Sequence, residues 1–460
     1  MRSTTLYREE FIQLARLSWP VIISQVGVMM MGLVDSFVVG RYSSLELAGV
    51  AAGNSIFWTV VMIGLGLLNG MDPIVSQAHG RGDHETALRC LGASLQQSLL
   101  FSLLLGPFLY FISSHLDSLG ATPEVARAAA PYLGTLGLSL LPLMFAAALQ
   151  RYWQCLELVL PFTLIIIGAN VLNLVLDLMF VTGRWGFPAL GAQGVALATT
   201  GCRFFILFAS LLVSWRAFEQ RGIKAAAGLS LRRLFTRIDR AMHEKFLRLA
   251  LPAASQMVLE VTAFSLTTLL MARLGAETLA AHHIVLSMAS FTFMFPLGIS
   301  AATATRVGYH SGRSDVARAF ASGWLGMGAG VGVMLISALG FFTIPDLLLR
   351  LFTEDKAVIE LSLSVLFLCA LFQIFDGLQV VSAGALRGLG DTKTALYANL
   401  FSHWLVGLPL GITLCFYGKK GLSGLWTGLA LGLFCTALIN TYFWQKRARR
   451  VLSPSAQTSS

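Results

Sequence analysis

The chain has 460 residues, of which 56% are hydrophobic and only 12% are charged. About a quarter of the residues in a soluble domain carry a charge, so this composition excludes an ordinary soluble protein. The net charge of +10 does not indicate nucleic-acid binding. Its basic residues lie mainly in the polar segments between apolar runs, as the positive-inside rule expects for a membrane protein.

Apolar runs long enough to cross a bilayer follow one another along the whole chain. A helix needs roughly 20 apolar residues to span the hydrocarbon core, and unbroken apolar runs exclude a membrane barrel, whose strands alternate apolar and polar residues. The sequence therefore predicts an all-α polytopic membrane protein of about 12 transmembrane helices. The predicted spans are approximately residues 17–40, 47–76, 92–113, 129–150, 160–182, 191–214, 249–273, 279–308, 319–343, 358–385, 394–416 and 422–444.

Lysine and arginine predict the orientation and the division of the chain. With the N terminus inside, the inside loops hold 23 of these residues and the outside loops hold 8, so both termini are expected in the cytoplasm. A basic segment in the middle of the chain is expected to lie against anionic head groups. The predicted domains are an N-terminal six-helix bundle (1–215), a basic cytoplasmic linker (216–245), a C-terminal six-helix bundle (246–445) and a basic cytoplasmic tail (446–460).

The two halves of the sequence repeat at a shift of 232 residues. At this shift Pro20 aligns with Pro252. The loop GRGD at residues 80–83 aligns with GRSD at residues 312–315. Six spans in each half give both halves the same orientation, so the repeat is parallel, about an axis along the membrane normal. This predicts two pseudo-symmetric bundles, an architecture in which transporters bind substrate between the repeats.

Ionisable residues inside apolar helices are costly and are candidates for function. In the first half, Asp35 and Asp177 lie five and six residues before the predicted outer ends of spans 1 and 5. Asn173 lies one turn from Asp177 on the same face, and Thr199 and Thr200 in span 6 can add hydroxyl groups. Carboxylates with neutral oxygens suit a small cation. Two close carboxyl groups can instead share one proton.

The second half carries its own acidic pair. Glu260 and Asp376 lie about ten or eleven residues from the predicted inner ends of spans 7 and 10, so they are expected at similar depth. The alternative interpretation of either pair is a buried acid satisfied by a neighbouring helix. Three other charges are less specific. Asp72 can be an interfacial acid, whereas Arg203 and Arg306 can be counter-ions or can extend toward the membrane surface.

Four motifs carry a resemblance to a known family. They are the opening from LARLSWPVIISQ to AAGNSIF (residues 14–57), GMDPIVSQAHGRGD (70–83), P-x₈-N-x₂-N-x₃-D-x₅-G (161–183) and LRGLGDTKTA (386–395). These motifs resemble the MATE (multidrug and toxic compound extrusion) transporters, and the resemblance covers essentially the whole chain. Glu260, together with FQIFDGLQVVSAGALRG around Asp376, resembles the branch of bacterial Na⁺-coupled drug exporters.

The resemblance implies a secondary active antiporter of the inner membrane that exports organic cations in exchange for Na⁺ or H⁺, without a cofactor. Membrane lipids are the other expected partners, and a monomer is expected. Such a carrier works only if the coupling ion and the drug bind its two states with unequal affinity. Four aromatic rings are predicted to stack on cationic drugs in the cavity between the halves: Phe37, Phe57, Phe291 and Phe295.

The family's coupling sites carry over to this sequence by position. The resemblance implies an N-half cation or proton site at Asp35, Asn173, Asp177 and a span-6 threonine, either Thr199 or Thr200. It implies a C-half cation site at Glu260 and Asp376, and Na⁺ bound at one of the two acidic pairs. One position departs from the branch, because Phe372 stands one turn before Asp376 where a tyrosine is common. The phenyl face can attract a cation, but the ring has no hydroxyl group.

Two other functions remain as alternatives. A lipid-linked oligosaccharide or lipid flippase of related architecture would be expected to line its cavity with basic residues for pyrophosphate, whereas the intramembrane charge here is mainly acidic. A membrane enzyme would need a clustered catalytic set at one face, and the sequence contains none, so an enzyme is not expected. The chain has no P-loop motif, so it is not expected to hydrolyse ATP.

Overall fold

The structure is a computed structural model that describes residues 2–119, 122–220 and 238–451. Within these ranges the backbone is helical apart from short turns, and it contains no strand. The predicted all-α class is therefore confirmed. Most of the predicted linker, residues 221–237, and the predicted tail from residue 452 onward lie outside the described residues.

The described residues form sixteen α-helices. In chain order they are α1 (Arg2–Tyr42), α2 (Ser44–Leu68), α3 (Met71–Arg81), α4 (His84–Ser113), α5 (Pro123–Leu138), α6 (Leu140–Cys155), α7 (Leu160–Phe180), α8 (Gly191–Gln220), α9 (Arg240–Ala272), α10 (Ala276–Gly312), α11 (Val316–Thr343), α12 (Pro345–Arg350), α13 (Lys356–Gly388), α14 (Lys393–Asn399), α15 (Leu408–Ile412) and α16 (Gly421–Val451). Short 3₁₀ turns occur at Asp117–Leu119 and Arg184–Gly186, and π-helical segments at Leu400–Gly407 and Thr413–Tyr417.

Eleven helical segments in the described part of the chain are long and apolar enough to cross a membrane. The helices α5 and α6 pass the same test as a bent pair, which brings the number to twelve when the pair is counted as one span. The predicted number of spans is thus confirmed, and the chain is a multi-pass membrane protein.

The predicted span at residues 129–150 is not one straight helix. It consists of α5 and α6, which meet at Ser139 with a bend of 47°. Pro142 has no N–H group to donate to the carbonyl of Leu138, four residues earlier, and its ring crowds that carbonyl. The hydroxyl and the N–H of Ser139 both donate to the Leu136 carbonyl, at 2.7 and 3.0 Å, and so close the end of α5. A proline in the first turn of α6 therefore explains the bend.

The span from α14 to the second π-helical segment is wider than an ordinary helix. The N–H of Leu408 bonds to the carbonyl of His403, and the N–H of Gly418 bonds to that of Thr413, so these bonds reach five residues back. A π turn inserts an extra residue and re-aims the side chains around it, and it is common near functional sites. Pro409, which lacks an N–H group, lies two residues after the first segment.

The helices group into two compact units. The N unit contains Ile23–Val75 and Gly82–Ala250, and the C unit contains Met1–Ile22, Ser76–Arg81 and Leu251–Ser460, in each case within the described residues. Two helical lobes were predicted. The units differ from the predicted bundles because the start of α1 and the end of α3 belong to the C unit. Helix α16 also continues to Val451 without a break at the predicted start of the tail.

The first span of each half changes unit close to a proline. In α1 the boundary follows Ile22, two residues after Pro20, and in α9 it follows Ala250, two residues before Pro252. A proline inside a helix removes one backbone hydrogen bond and favours a bend. The two prolines that align in the sequence repeat therefore both lie within two residues of a change of unit.

Candidate functional site

Asp35 lies at the centre of a buried polar cluster in the N unit, where its side chain is only 6% exposed. Asn173 donates from Nδ2 to Asp35 Oδ1 over 2.9 Å. Thr199 donates its hydroxyl to Asp35 Oδ2 over 2.9 Å. Each carboxyl oxygen therefore has a neutral donor, which reduces the cost of burying the group. The predicted meeting of spans 1, 5 and 6 around this aspartate occurs in the structure.

Asp177 brings a second carboxyl group into this cluster. It is fully buried on α7, one turn after Asn173, and its charge interacts with that of Asp35. Apart from the interaction with the Asp35 carboxyl group, neither of its side-chain oxygens accepts a hydrogen bond from a described residue. Two such carboxyl groups do not readily ionise together unless a proton or a cation is present. We call Asp35, Asn173, Asp177 and Thr199 the Asp35 cluster.

Helix geometry explains which threonine of α8 joins the cluster. Successive residues of a helix point about 100° apart, because one turn holds 3.6 residues. Thr199 faces Asp35, whereas the hydroxyl oxygen of Thr200 is buried without a partner among the described residues. The structure therefore brings together four of the five predicted N-half residues and leaves Thr200 out.

Arg203 holds a buried positive charge one turn after Thr199 on α8. Its side chain is 7% exposed. The guanidinium lies 4.4 Å from the centre of the Phe57 ring, and its Nη1 donates to the hydroxyl of Ser139. Its charge interacts with that of Asp35. This placement fits the counter-ion interpretation of Arg203 and does not fit a side chain that extends to the surface.

Glu260 is the centre of a second polar cluster, in the C unit. Its Oε2 accepts hydrogen bonds from Gln379 Nε2 at 3.4 Å and from Asn399 Nδ2 at 3.3 Å. The charge of Asp376, which is 6% exposed and one turn before Gln379 on α13, interacts with that of Glu260. We call these four residues the Glu260 cluster. The two predicted C-half carboxyl groups therefore belong to one cluster.

Phe372 is buried in the apolar core of the C unit. Its ring is 3% exposed and makes edge contacts with Phe264 and Trp426, at centroid distances of 5.9 and 5.5 Å. The structure thus gives Phe372 a packing role on the helix that carries Asp376.

The four aromatic residues that were predicted to contact substrate have unlike surroundings. Phe57 is wholly buried beneath a guanidinium, so its predicted place at a cavity surface is wrong in this structure. Phe37 is 60% exposed. Phe291 is exposed and Phe295 half-buried, and their rings meet edge to face with centroids 6.2 Å apart. Only Phe57 is excluded from contact with a ligand by its burial.

The two amides of the Glu260 cluster were not predicted from the sequence. Gln379 and Asn399 are uncharged, whereas ionisable residues give the strongest indication of function inside apolar spans. The sequence does indicate both residues, because each places a polar amide group inside an otherwise apolar helix. The amide oxygens Gln379 Oε1 and Asn399 Oδ1 are buried without partners among the described residues, so both remain available as acceptors.

Comparison with known proteins identifies the family. The MatE family model matches residues 20–179 and matches a second time at residues 252–413, so it accounts for more than half of the chain. The chain belongs to the MatE family. The two matches begin at Pro20 and Pro252, the positions that the sequence repeat aligns.

Curated proteins resemble this MatE chain along nearly its whole length. The probable multidrug resistance protein NorM of Mesorhizobium japonicum is 32% identical over 459 residues, which cover 96% of this chain and 95% of that protein. The protein of the same name from Pseudomonas syringae pv. tomato is 31% identical over 449 residues, which cover 96% of each chain. The family resemblance found in the motifs is confirmed.

A solved structure shares the fold of this MatE chain. The crystal structure of the eukaryotic MATE transporter AtDTX14 matches with a TM-score of 0.84 at 22% sequence identity, and covers 97% of this chain and 99% of that one. At this identity the likeness concerns the fold alone. It confirms the predicted two-lobe helical architecture.

A buried ionic cluster of this MatE chain was not predicted. Arg306 Nη2 lies 2.9 Å from both carboxylate oxygens of Glu10, and His310 Nε2 lies 3.0 Å from Glu10 Oε2. The Ser322 hydroxyl donates to the same oxygen over 3.0 Å. Glu10 is 2% exposed and Arg306 6%. Arg306 is therefore a structural counter-ion that ties the start of α1 to α10 and α11 within the C unit.

Glu10→Gln should destabilise the protein by about 3 kcal/mol or more, because removing one partner of a buried ion pair leaves the Arg306 charge uncompensated. The expected result is a clear fall in the thermal unfolding temperature of the detergent-purified protein. Glu9→Gln is the matched control. Glu9 is 56% exposed and bonds to Arg318 at 3.1 Å, and exposed pairs contribute at most about 1 kcal/mol. Equal unfolding temperatures for the two variants would contradict this account.

Asp72, which the sequence indicated could be an interfacial acid, is paired with an arginine inside the N unit. It is wholly buried in the N unit, and Arg151 Nε lies 3.1 Å from its Oδ1. The Cys155 thiol lies 3.8 Å from the same oxygen. A buried carboxylate at the beginning of α3 is thus neutralised by an arginine of α6. This pairing offsets the cost of burying the Asp72 charge inside the unit.

Proposed function

We propose that this protein is a secondary active multidrug efflux antiporter that exports organic cations in exchange for Na⁺ or H⁺. The observation that carries the proposal is a pair of separate carboxyl clusters, one in each unit, buried within spans that are otherwise apolar. Intramembrane acids of this kind mark ion pathways and proton relays. Both curated relatives described above are named multidrug resistance proteins, and solved neighbours are named MATE transporters.

The Asp35 cluster suits a proton or a small cation. Asp35 is supplied with neutral donors by Asn173 and Thr199, and Asp177 interacts with it at close range. One positive charge shared by the two carboxyl groups relieves their repulsion. Asn173 Oδ1 accepts no hydrogen bond from a described residue, and the Asp177 oxygens have no partner among these residues besides the Asp35 carboxyl group, so all three oxygens are available to a bound cation. This supports Asp35 and Asp177 as the N-half coupling residues.

The Glu260 cluster offers a comparable set of oxygen ligands. Glu260 and Asp376 supply carboxyl groups, and Gln379 and Asn399 supply amide oxygens without described partners. Hard cations prefer carboxylate and carbonyl oxygens, so we propose this cluster as the C-half cation site. The buried ring of Phe372 supports the helix that carries Asp376, and it is not proposed as a ligand.

Coupling requires that the two clusters respond to the transport cycle. A ligand shifts a conformational equilibrium only by its difference in affinity for the two states. We propose that a cation or proton taken up at the acidic clusters favours the state that releases the drug outward. The drug then binds when the clusters have lost that ion. Exposed aromatic rings such as Phe291 are the proposed contacts for the drug cation.

We propose an inner-membrane protein with both termini in the cytoplasm, since the predicted inside loops carry most of the basic residues. Residues 216–245 are the proposed linker between the halves, in contact with anionic lipids. We propose a monomer. A lipid flippase is not favoured, because Arg306 and Arg151 are already paired with buried acids and do not offer a free basic surface to pyrophosphate.

The proposed function is tested with purified protein in liposomes that contain trapped ethidium. An inward Na⁺ gradient and an inward pH gradient are imposed separately, each with the membrane potential clamped to zero. Ethidium release that needs one of these gradients, and that stops when an ionophore collapses it, is the expected result. Release that is the same with and without either gradient, across several organic cations, would overturn the proposal. Liposomes without protein supply the background.

A further inference from the structure

The buried charge of Arg203 has no part in the function proposed above. Among the described residues, Arg203 donates to the Ser139 hydroxyl and lies over the face of the Phe57 ring, at 4.4 Å from the ring centre. Both partners are neutral. A guanidinium stays protonated at any physiological pH, so a full positive charge is held inside the N unit by a hydroxyl group and an aromatic ring.

The position of Arg203 links this charge to the Asp35 cluster. Arg203 follows Thr199 by one turn of α8, and Thr199 is the residue that donates to Asp35 Oδ2 over 2.9 Å. The carboxylate whose charge acts on the guanidinium is that of Asp35. A buried charge is unfavourable unless an opposite charge lies near it, and Asp35 supplies that charge from α1.

The other titratable groups around Arg203 do not alter the balance. Those that interact with it, besides Asp35, are Tyr132 of α5 and Cys202 of α8, and a phenol and a thiol are normally neutral at pH 7. Asp177 of α7 interacts with Asp35. In the part of the chain that the structure describes, the cluster and its surroundings therefore contain two carboxyl groups and one permanent positive charge.

We propose that Arg203 is the resident counter-ion of the Asp35 cluster, and that it balances one carboxylate so that the cluster takes up a single exchangeable positive charge. The inference rests on the proposed function and specifies it further, since it sets how many cations or protons this site exchanges. Arg203 acts through Asp35 and does not contact the transported drug. It is a positioning residue whose contribution is its charge.

The C unit provides an internal contrast. The donors to Glu260 are the amides of Gln379 and Asn399, which are neutral. The buried arginine of that unit, Arg306, is ion-paired with Glu10. Within the described residues, the contacts of the Glu260 cluster thus include no guanidinium. The two acidic clusters therefore differ in the number of exchangeable positive charges that neutralise them.

The test is an infrared titration of the purified protein in lipid, which reports protonated carboxyl groups without any need for transport. The band that Asp35→Asn removes is followed against pH in the wild type and in Arg203→Gln. Without the nearby cation the neutral, protonated carboxyl is favoured, so the proton should leave only at higher pH. We expect the midpoint to rise by about one pH unit or more, the usual effect of removing an adjacent arginine from an aspartate.

Three matched variants separate charge from structure. Arg203→Lys keeps the charge and should leave the midpoint near that of the wild type. Ser139→Ala removes the hydrogen bond but keeps the charge, and it should also leave the midpoint in place. Arg41→Gln removes an exposed arginine that lies over an aromatic ring, at 4.3 Å from Phe37, and it should have no effect. A purely structural role of Arg203 would make the lysine and glutamine variants behave alike.

Two outcomes overturn the inference. An Arg203→Gln midpoint equal to that of the wild type would show that the guanidinium does not balance the cluster. An equal upward shift in Arg203→Lys would show that the effect does not come from charge. The failure of the proposed function is distinct, because it would appear as gradient-independent ethidium release by the wild type while the infrared titration still reported the charge balance.

Discussion

Asp35→Asn should lower gradient-driven ethidium release at least tenfold while leaving the folded protein intact. Asparagine has nearly the same shape as aspartate, so the contacts with Asn173 and Thr199 can be kept in modified form. It cannot take up and release a proton, and it presents a neutral oxygen to a cation in place of a carboxylate. The measurement is the initial rate of release from proteoliposomes at equal protein density, with the unfolding temperature recorded in parallel.

The matched control is Asp346→Asn, which makes the same change at an exposed residue of α12, outside both clusters. It should retain the wild-type rate. Asp376→Asn extends the comparison to the C unit and tells whether both clusters are needed for coupling. If Asp35→Asn transports as fast as the control under the same gradient, the N-half cluster is not a coupling site.

Gly428→Val should prevent accumulation of folded protein, because the backbones of two helical segments touch at this residue. A Cβ atom at Gly428 would lie 2.4 Å from the Gly407 carbonyl oxygen and 2.5 Å from Gly411 Cα. Backbone atoms cannot move aside as a flexible side chain does, and small residues are what allow such close approach of membrane helices. The measurement is the yield of monodisperse protein after detergent extraction and size-exclusion chromatography.

Gly328→Val is the control for this prediction. Gly328 is also inside a membrane-spanning helix, α11, but a Cβ atom there would meet no other atom within 4 Å. Its yield should stay close to that of the wild type. A normal yield of Gly428→Val, or equal losses in the two variants, would show that the close approach of these backbones is not required for folding.

The spans and the acidic candidates could be predicted because both depend on local sequence. An apolar run must form a helix in a bilayer, since no water is available to its backbone. Asn173 and Asp177 share a face because they are four residues apart. Their meeting with Asp35 followed from the expected depth of each residue, together with the family resemblance, and the structure places the three side chains together.

Features that depend on contacts distant in sequence were not predictable in the same way. Glu10 and Arg306 are 296 residues apart, and no local pattern indicates that they meet. Phe57 was predicted to line a cavity because aromatic rings suit cationic drugs, but it packs in the apolar core of the N unit against side chains distant in sequence. Thr200 was indistinguishable from Thr199 until the rotation of α8 was known. The bend between α5 and α6 has a local cause in Pro142. It was not predicted because the high hydropathy of residues 129–150 indicated one continuous helix.

The exchange of a drug cation for Na⁺ or H⁺ is tested most directly by running the reaction in reverse. Proteoliposomes begin with equal Na⁺ and equal pH on both sides, and an ethidium gradient is the only driving force. The account predicts that ethidium moving down its gradient drives Na⁺ or H⁺ in the opposite direction, and that Asp35→Asn or Asp376→Asn abolishes this movement. Ethidium flux through the wild-type protein without any counter-movement of either ion would contradict antiport.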